Sequence, residues 1–279
     1  MTRRQALMGA MAAWQPRREL LVCGCDELVA LDVAGPEPVK VWSWKAEERA
    51  ELPAEYRKLF RTIDECKPVG GGRILITASS DGVALIERPS GKVLFRARGA
   101  NAHSAEMLPG GRIAVACSVR QRGGNRVALF DAAAPEREIA PAELYSGHGV
   151  VWDQERETLW ALGGRELKAF TADLRVKAAY ELPGEGGHDL WAAPGSAKLG
   201  VTVHDGVWEF DRGARTFRRH AALGGLAHVK SVAQHPATGE TAYIQADLPE
   251  WWSERIEFLN PRGTLRMAGE RLYKARWAE

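Results

Sequence analysis

The sequence predicts an all-β chain closed into a six-bladed β-propeller of four-stranded blades. Three observations carry that reading. Glycine-centred segments recur with a period near forty, each period holds four short apolar runs between turn residues, and the last such run of the chain has no partner downstream. Self-similarity at such a period marks a repeat architecture, and four strands per period is the content of a propeller blade.

The period rests on particular residues. "GGRILITAS" (71–79) aligns with "GGRIAVACS" (110–118) at an offset of 39, which sets Asp64 opposite His103. The next intervals run 45 from His103 to His148, 40 to His188 and 40 to His228. Five units therefore begin near Asp64, His103, His148, His188 and His228. The first reads "RILITAS", "GVALIERP", "KVLFRAR"; the second reads "RIAVACS", "RVALFDA", "REIAPAELY" after its histidine segment. A helical solenoid would need a 3.6-residue apolar period, which these runs lack.

The sixth unit is split. "LYKARWA" (272–278) stands alone at the end, while "ELLVCGC", "ELVALDV" and "PVKVWSW" near the start lack an inner strand. Pairing the last strand with the first three closes the ring and removes two open sheet edges. A single domain over 19–279 follows, with residues 1–18 apart from it. Residues 47–61 depart from the pattern: Leu52, Tyr56, Leu59 and Phe60 suggest a short helix inserted between blades.

Composition limits the partners. With 38 basic residues against 36 acidic and a formal charge of +2, the chain has no broad field for nucleic acid or a membrane surface. No apolar run approaches the roughly 20 residues that cross a bilayer. A monomer is expected. Cys23 and Cys25 form a C-x-C within an apolar run, and Cys66 and Cys117 stand alone; this is not zinc-ribbon spacing, and small buried hydrophobes are expected. "TRRQALMGAMAAW" pairs a twin arginine with a short apolar stretch, so export to the periplasm or beyond is expected, with a cytoplasmic protein as the alternative.

The repeat also predicts a site. The first strand of each blade lines the central channel, so residues at its start meet at the channel mouth. Asp64, His103, His148, His188 and His228 are expected to form a ring there. His103, His148, His188 and His228 are donors suited to a divalent transition metal, zinc, manganese, iron or copper, rather than to calcium. The competing reading has each histidine hydrogen-bonding its neighbouring loop and holding the blades in register. Close by lie Lys67, Glu106, Asp189, Lys230, Lys274 and Arg276, while "RQRGGN" (120–125) and "DLPEWWSE" (247–254) bring Arg120, Arg122, Trp251 and Trp252 to the rim. Cations beside exposed indoles suit an acidic sugar or another small anion. Lys230, Lys67 and Arg276 are the candidates for moving a proton or neutralising charge.

Other signals are set aside. "GGG" at 70–72 and "RGGN" at 122–125 read as hairpin turns, because a phosphate loop needs a following helix. His204, His220 and His235 fall outside the repeat phase and read as surface or turn residues. Trp160 and Trp208 read as core between blades. No nucleophile-elbow motif is present.

The phrases "TIDECKP", "NAHSAEMLPGGRIAVA", "GHGVVWD", "GGHDL", "AHVKSV" and "ERLYKARW" together resemble a bacterial family known only as a domain of unknown function. The resemblance runs from about Glu19 to the end. It implies a six-bladed propeller, often preceded by an export signal, and implies no activity. More distantly, the histidine ring is similar to the manganese site of propeller lyases acting on oligogalacturonate, which implies a metal-dependent lyase or hydrolase by analogy of fold alone. A non-catalytic ligand binder and a protein-interaction scaffold with structural histidines are the alternatives.

Overall fold

The computed structural model describes residues 18–278. The twin-arginine segment lies outside them. Six separate four-stranded antiparallel sheets follow one another around a ring. Blade one is Ile63–Pro68, Arg73–Ala78, Gly82–Glu87 and Val93–Arg98; blade two is Ala102–Leu108, Arg112–Cys117, Arg126–Asp131 and Ala134–Glu143. Blade three is Gly149–Asp153, Thr158–Leu162, Glu166–Phe170 and Val176–Glu181; blade four is Asp189–Ala192, Lys198–Val203, Gly206–Asp211 and Thr216–Arg219. Blade five is Val229–Gln234, Thr241–Gln245, Arg255–Leu259 and Gly263–Arg266.

The sixth blade closes the ring as the split unit predicts. Lys274–Trp277 pairs with Glu19–Cys23, with Leu20 opposite Trp277 and Cys23 opposite Lys274, and Glu27–Asp32 and Val39–Lys45 complete the sheet.

The sequence pattern explains the layering. Middle strands such as Thr158–Leu162 are buried along their whole length, whereas the outer strand Val176–Glu181 alternates and faces water. Neighbouring blades pack face to face. Leu75, Val83 and Phe95 of blade one meet Ile113, Val115 and Phe130 of blade two, and each such side chain contributes about 1.5–3 kcal/mol of burial. Trp160 is buried in the equivalent layer between blades three and four, with Trp208 partly buried against it.

Residues 47–61 form three short turns of helix rather than one: Ala46–Glu48, Ala54–Arg57 and Lys58–Phe60. Pro53 interrupts the run, having no N–H to continue a helix through it. Leu52, Tyr56 and Phe60 are buried, so the insert is anchored as the apolar spacing predicts. Gly70, Gly71 and Gly72 all take positive φ (77°, 63° and 70°) in the hairpin between Pro68 and Arg73, a turn that side chains would strain. The four cysteines are free thiols; Cys23, Cys66 and Cys117 are buried and Cys25 half-buried.

Candidate functional site

One residue from each blade meets at the channel mouth: Asp64, His103, His148, His188, Lys230 and Tyr273 line a single cavity of about 250 Å³. Ser79, Asn101 and Trp251 complete its wall. Two local devices place the six. Asp64, His103 and Lys230 are the extra residues of β-bulges, at Ile63/Glu65, Ala102/Ser104 and Val229/Ser231. A bulge re-aims the side chain of the unpaired residue. His148, His188 and Tyr273 instead stand just ahead of their strands, their N–H groups donating to the carbonyls of Leu162, Thr202 and Cys23 at 2.8, 3.0 and 2.8 Å.

The expected ring is thus corrected at one position and completed at another. His228 does not line the cavity. It takes a left-handed φ of 59°, and the bulge two residues on puts Lys230 in the place that the forty-residue interval assigned to His228. Tyr273 is the sixth member; the sequence singles out Lys274 and Arg276 in the same run, but the position just before Lys274 carries the repeat phase. The imidazoles form a continuous run. His103 stacks on His148 at 4.3 Å between centroids, and His148 meets His188 edge-on at 5.3 Å. His204 then lies 5.1 Å from His188 and 6.2 Å from His228. His204 therefore belongs to the histidine cluster, brought there by the turn between the second and third strands of blade four. His220 and His235 do act in turns, each accepting backbone N–H bonds at Nδ1.

Beneath the mouth the channel is filled by matched charges. Arg276 donates to Glu65 at 2.9 Å and to Asp189 at 2.6 Å, and Lys274 lies 3.3 Å from Glu65 and 3.2 Å from Asp189. All four are buried. Burial alone would raise both carboxyls, but the charges of Arg276 and Lys274 hold Glu65 and Asp189 below the usual carboxylate range. Lys67 pairs with Glu106 at 3.1 Å and donates to the Val150 carbonyl at 2.6 Å. Lys67, Glu106, Asp189, Lys274 and Arg276 thus sit below the cavity lining, each engaged with an opposite charge.

The mouth differs. Lys230 is buried, and among the described residues it has no carboxylate within salt-bridge distance; its ammonium donates only to His188 Nε2, at 3.1 Å. Burial pushes this lysine down to about 8. Asp64 accepts from the Ser79 N–H, and burial raises it to about 7. Burial and the neighbouring His148 and lysine charges hold His103 well below the ordinary imidazole value, and burial takes His148 down to about 4. His188 is lowered in the same way by burial and then by Lys230. At neutral pH all three rings are uncharged.

Their hydrogen bonds fix the tautomers. His148 Nδ1 donates to the Ser146 carbonyl at 2.9 Å, and His103 Nε2 donates to Asn101 Oδ1 at 3.2 Å. His188 accepts from Lys230 at Nε2, so its Nδ1 carries the proton. Nδ1 of His103 and Nδ1 of His188 are buried without a partner, the first 3.7 Å from Asp64. Unpartnered buried polar atoms are rare in finished cores and common where a ligand or water belongs.

At the rim, Trp251 is 40% exposed and packs edge-on against Tyr273 at 5.5 Å. Burial, followed by the Asp64 and Asp189 charges, raises the Tyr273 phenol and keeps it protonated. Trp252 lies outside the cavity, under the Arg271 guanidinium at 5.4 Å. Arg120 is held at the edge by Asp81 (2.6 Å) and the Ser79 carbonyl (2.9 Å), and Arg122 is exposed in the turn beside it. Among the described residues no set of three or more metal-ligating side chains is disposed to hold an ion.

A closed ring of six four-stranded blades, with a cavity at its mouth lined by a residue from each blade, defines a six-bladed β-propeller. The chain belongs to the family of unknown function DUF6528, whose sequence profile matches residues 28–279. No curated protein matches the chain. Among solved structures it is similar to a protein of unknown function from Bacteroides caccae, with a TM-score of 0.67, 14% identity, and coverage of 95% of this chain and 100% of that one. It is also similar to the WD40 β-propeller domain of Doa1, with a TM-score of 0.58, 10% identity, and coverage of 81% and 71%. These likenesses show the fold alone.

Proposed function

We propose that the mouth cavity binds a small carboxylate-bearing molecule of single-ring size, with an acidic sugar as the favoured class. The supporting observation is Lys230. The other cations that the sequence brings to the channel are each matched to a carboxylate, and this one is buried without such a match. An ammonium removed from water without a counter-charge is costly, and a ligand carboxylate would relieve it. The unpartnered N–H of His188 offers a second donor nearby, and the Trp251 and Tyr273 rings offer apolar faces for a sugar ring. At about 250 Å³ the cavity is smaller than the roughly 300–1,000 Å³ of drug-sized sites, which suits one sugar unit.

A divalent zinc, manganese, iron or copper ion is the second reading, favoured by the unprotonated, unpartnered Nδ1 of His103 beside Asp64. The donors are the right type, but the arrangement does not fit. Lys230 takes the Nε2 lone pair of His188 and adds a positive charge, and the face-to-face stacking of His103 on His148 keeps their in-plane lone pairs from converging on one point.

Calorimetry with a uronic acid at pH 7 tests the first reading. Wild type binds, and Lys230→Met weakens binding at least about thirtyfold, the factor for truncating one side of a buried charge pair. Equal binding by both proteins rejects it. Elemental analysis of protein purified without added metal tests the second, and retention of less than about 0.2 equivalents, with no change in melting on titration, removes it. Incubation with uronate oligosaccharides, followed by ultraviolet absorbance for unsaturated products and by assay for reducing ends, separates a lyase or hydrolase from a binder.

A further inference from the structure

Lys230 has the placement of a nucleophile as well as that of a counter-charge. The bulge at Val229/Ser231 turns its side chain into the cavity, where its ammonium meets His188 Nε2 at 3.1 Å. An amine with a neutral nitrogen base in hydrogen-bond reach is the core of an activated nucleophile, and a third contact usually orients the base. Here the His188 N–H donates to the Thr202 carbonyl at 3.0 Å, and the ring is packed between His148 at 5.3 Å and His204 at 5.1 Å. Packing from both sides holds Nε2 on the lysine.

The other two lysines of the channel are built differently. Lys274 lies between Glu65 and Asp189, and Lys67 is paired with Glu106. A carboxylate beside an ammonium keeps the proton on nitrogen and the lone pair unavailable. Among the described residues Lys230 has no such carboxylate, and its one side-chain partner is a group able to take the proton away.

The charge of the cavity constrains what this amine can meet. Among the described residues lining it, Lys230 is the one lysine or arginine, and the three imidazoles beside it are neutral at pH 7. The same Nζ must therefore attract a ligand's carboxylate and reach its carbonyl carbon. A ketone bonded directly to the carboxylate, as in a 2-oxo acid, presents both to one nitrogen. The iminium formed there stays positive beside the carboxylate, so the charge pairing survives the reaction.

We propose that Lys230 condenses with the ketone of a 2-oxo acid, a 2-oxo sugar acid being the class that suits the cavity, to form an iminium. This rests on the acid-binding reading of the cavity. His188 Nε2 takes one proton from the ammonium. The freed Nζ lone pair forms a bond to the carbonyl carbon, and the C=O π pair moves to oxygen. A proton from nitrogen and the proton held on His188 then pass to that oxygen, which leaves as water as the C=N bond forms. Of the three ammonium protons two depart in water and one stays on nitrogen, and His188 ends neutral as it began.

Trapping with pyruvate and cyanoborohydride at pH 7, read by peptide mass spectrometry, tests the step, alongside calorimetry of untreated protein with a uronic acid. Wild type acquires the reduced adduct at Lys230 at least about tenfold faster than at any other lysine, and lactate, which has the carboxylate without the ketone, slows it. Lys230→Arg, which keeps the charge, gains no adduct at that position, and His188→Gln slows the adduct about a hundredfold. An absent adduct, or one spread evenly over the lysines, overturns the iminium alone when wild type binds the uronic acid. The same result without uronate binding overturns the iminium and the acid-binding reading together. Adduct at Lys230 without uronate binding upholds the iminium and rejects the uronic acid as occupant.

Discussion

Two successive layers of the same channel handle charge in opposite ways. In the lower layer Glu65 and Asp189 face Lys274 and Arg276, one cation per carboxylate, all buried and all bonded. In the mouth layer, one residue up each first strand, a buried ammonium sits with three neutral imidazoles, a carboxyl that titrates near neutrality and two unpartnered ring nitrogens. The lower layer ties the C-terminal strand to blades one and four and is complete in itself. The upper layer is incomplete in itself. A channel can therefore hold polar side chains at two levels while only one of them leaves buried polar groups unpaired.

The contrast breaks most visibly at Arg276. Arg276→Met leaves Glu65 and Asp189 with only Lys274, and removing one partner of a buried charge set costs about 3–5 kcal/mol. At roughly 2–4 °C per kcal/mol for a chain of this size, the melting temperature falls by about 10 °C in calorimetric scans. A variant that melts like wild type would erase the distinction between the layers.

The same change one layer up has the opposite sign. Lys230 has its proton affinity lowered by folding, from 10.5 to about 8, so the unfolded chain binds the proton more tightly. The resulting penalty is fully present below pH 8 and disappears as pH rises through 8 to 10.5. Lys230→Met removes a penalty of up to about 3 kcal/mol at pH 7. Denaturant titrations then show the variant more stable than wild type at pH 7, with the two converging toward pH 10.5.

His148 sharpens the comparison at acid pH. Folding lowers it from 6.5 to about 4, so the stability it contributes as a neutral ring is intact above 6.5 and is lost as pH falls toward 4. Between pH 6 and 4.5 that is about 2 kcal/mol, at about 1.36 kcal/mol per pH unit. His148→Gln removes this share of the acid-side loss, so the variant's stability curve is less steep there than that of wild type, with the shares of His103 and His188 remaining. The smallest effect concerns the ligand: uronate affinity falls at least about tenfold from pH 7 to 9 as Lys230 loses its charge and Asp64 gains one, and Lys230→Arg, which keeps its charge, retains only the Asp64 share of the fall.

The ring itself was legible from the sequence because it is periodic: the interval of 39 between matching "GGRI" segments and the orphan "LYKARWA" run give blade number and closure. Asp64, His103, His148 and His188 were legible for the same reason, since equal phase becomes proximity at the axis. Lys230 in place of His228 was not, because the interval from His188 to Lys230 is 42 rather than 40, and a histidine happens to stand at the regular spacing. His204 escaped for a different reason. It comes from the turn after the second strand of blade four, where the His188 N–H pairs with the Thr202 carbonyl and brings the two rings together, a register within the blade that the forty-residue spacing does not give. The pairing of Lys274 and Arg276 with Glu65 and Asp189 was equally hidden, since it joins residues about 210 and 85 positions apart across the ring.

The most direct test is a crystal structure of the protein soaked with a uronic acid at pH 7, read at the channel mouth. The account predicts a carboxylate within about 2.7–3.2 Å of Lys230 Nζ, with the sugar ring against Trp251 and Tyr273. Density for a metal ion among the imidazoles, or a uronate bound only away from Lys230, would contradict it.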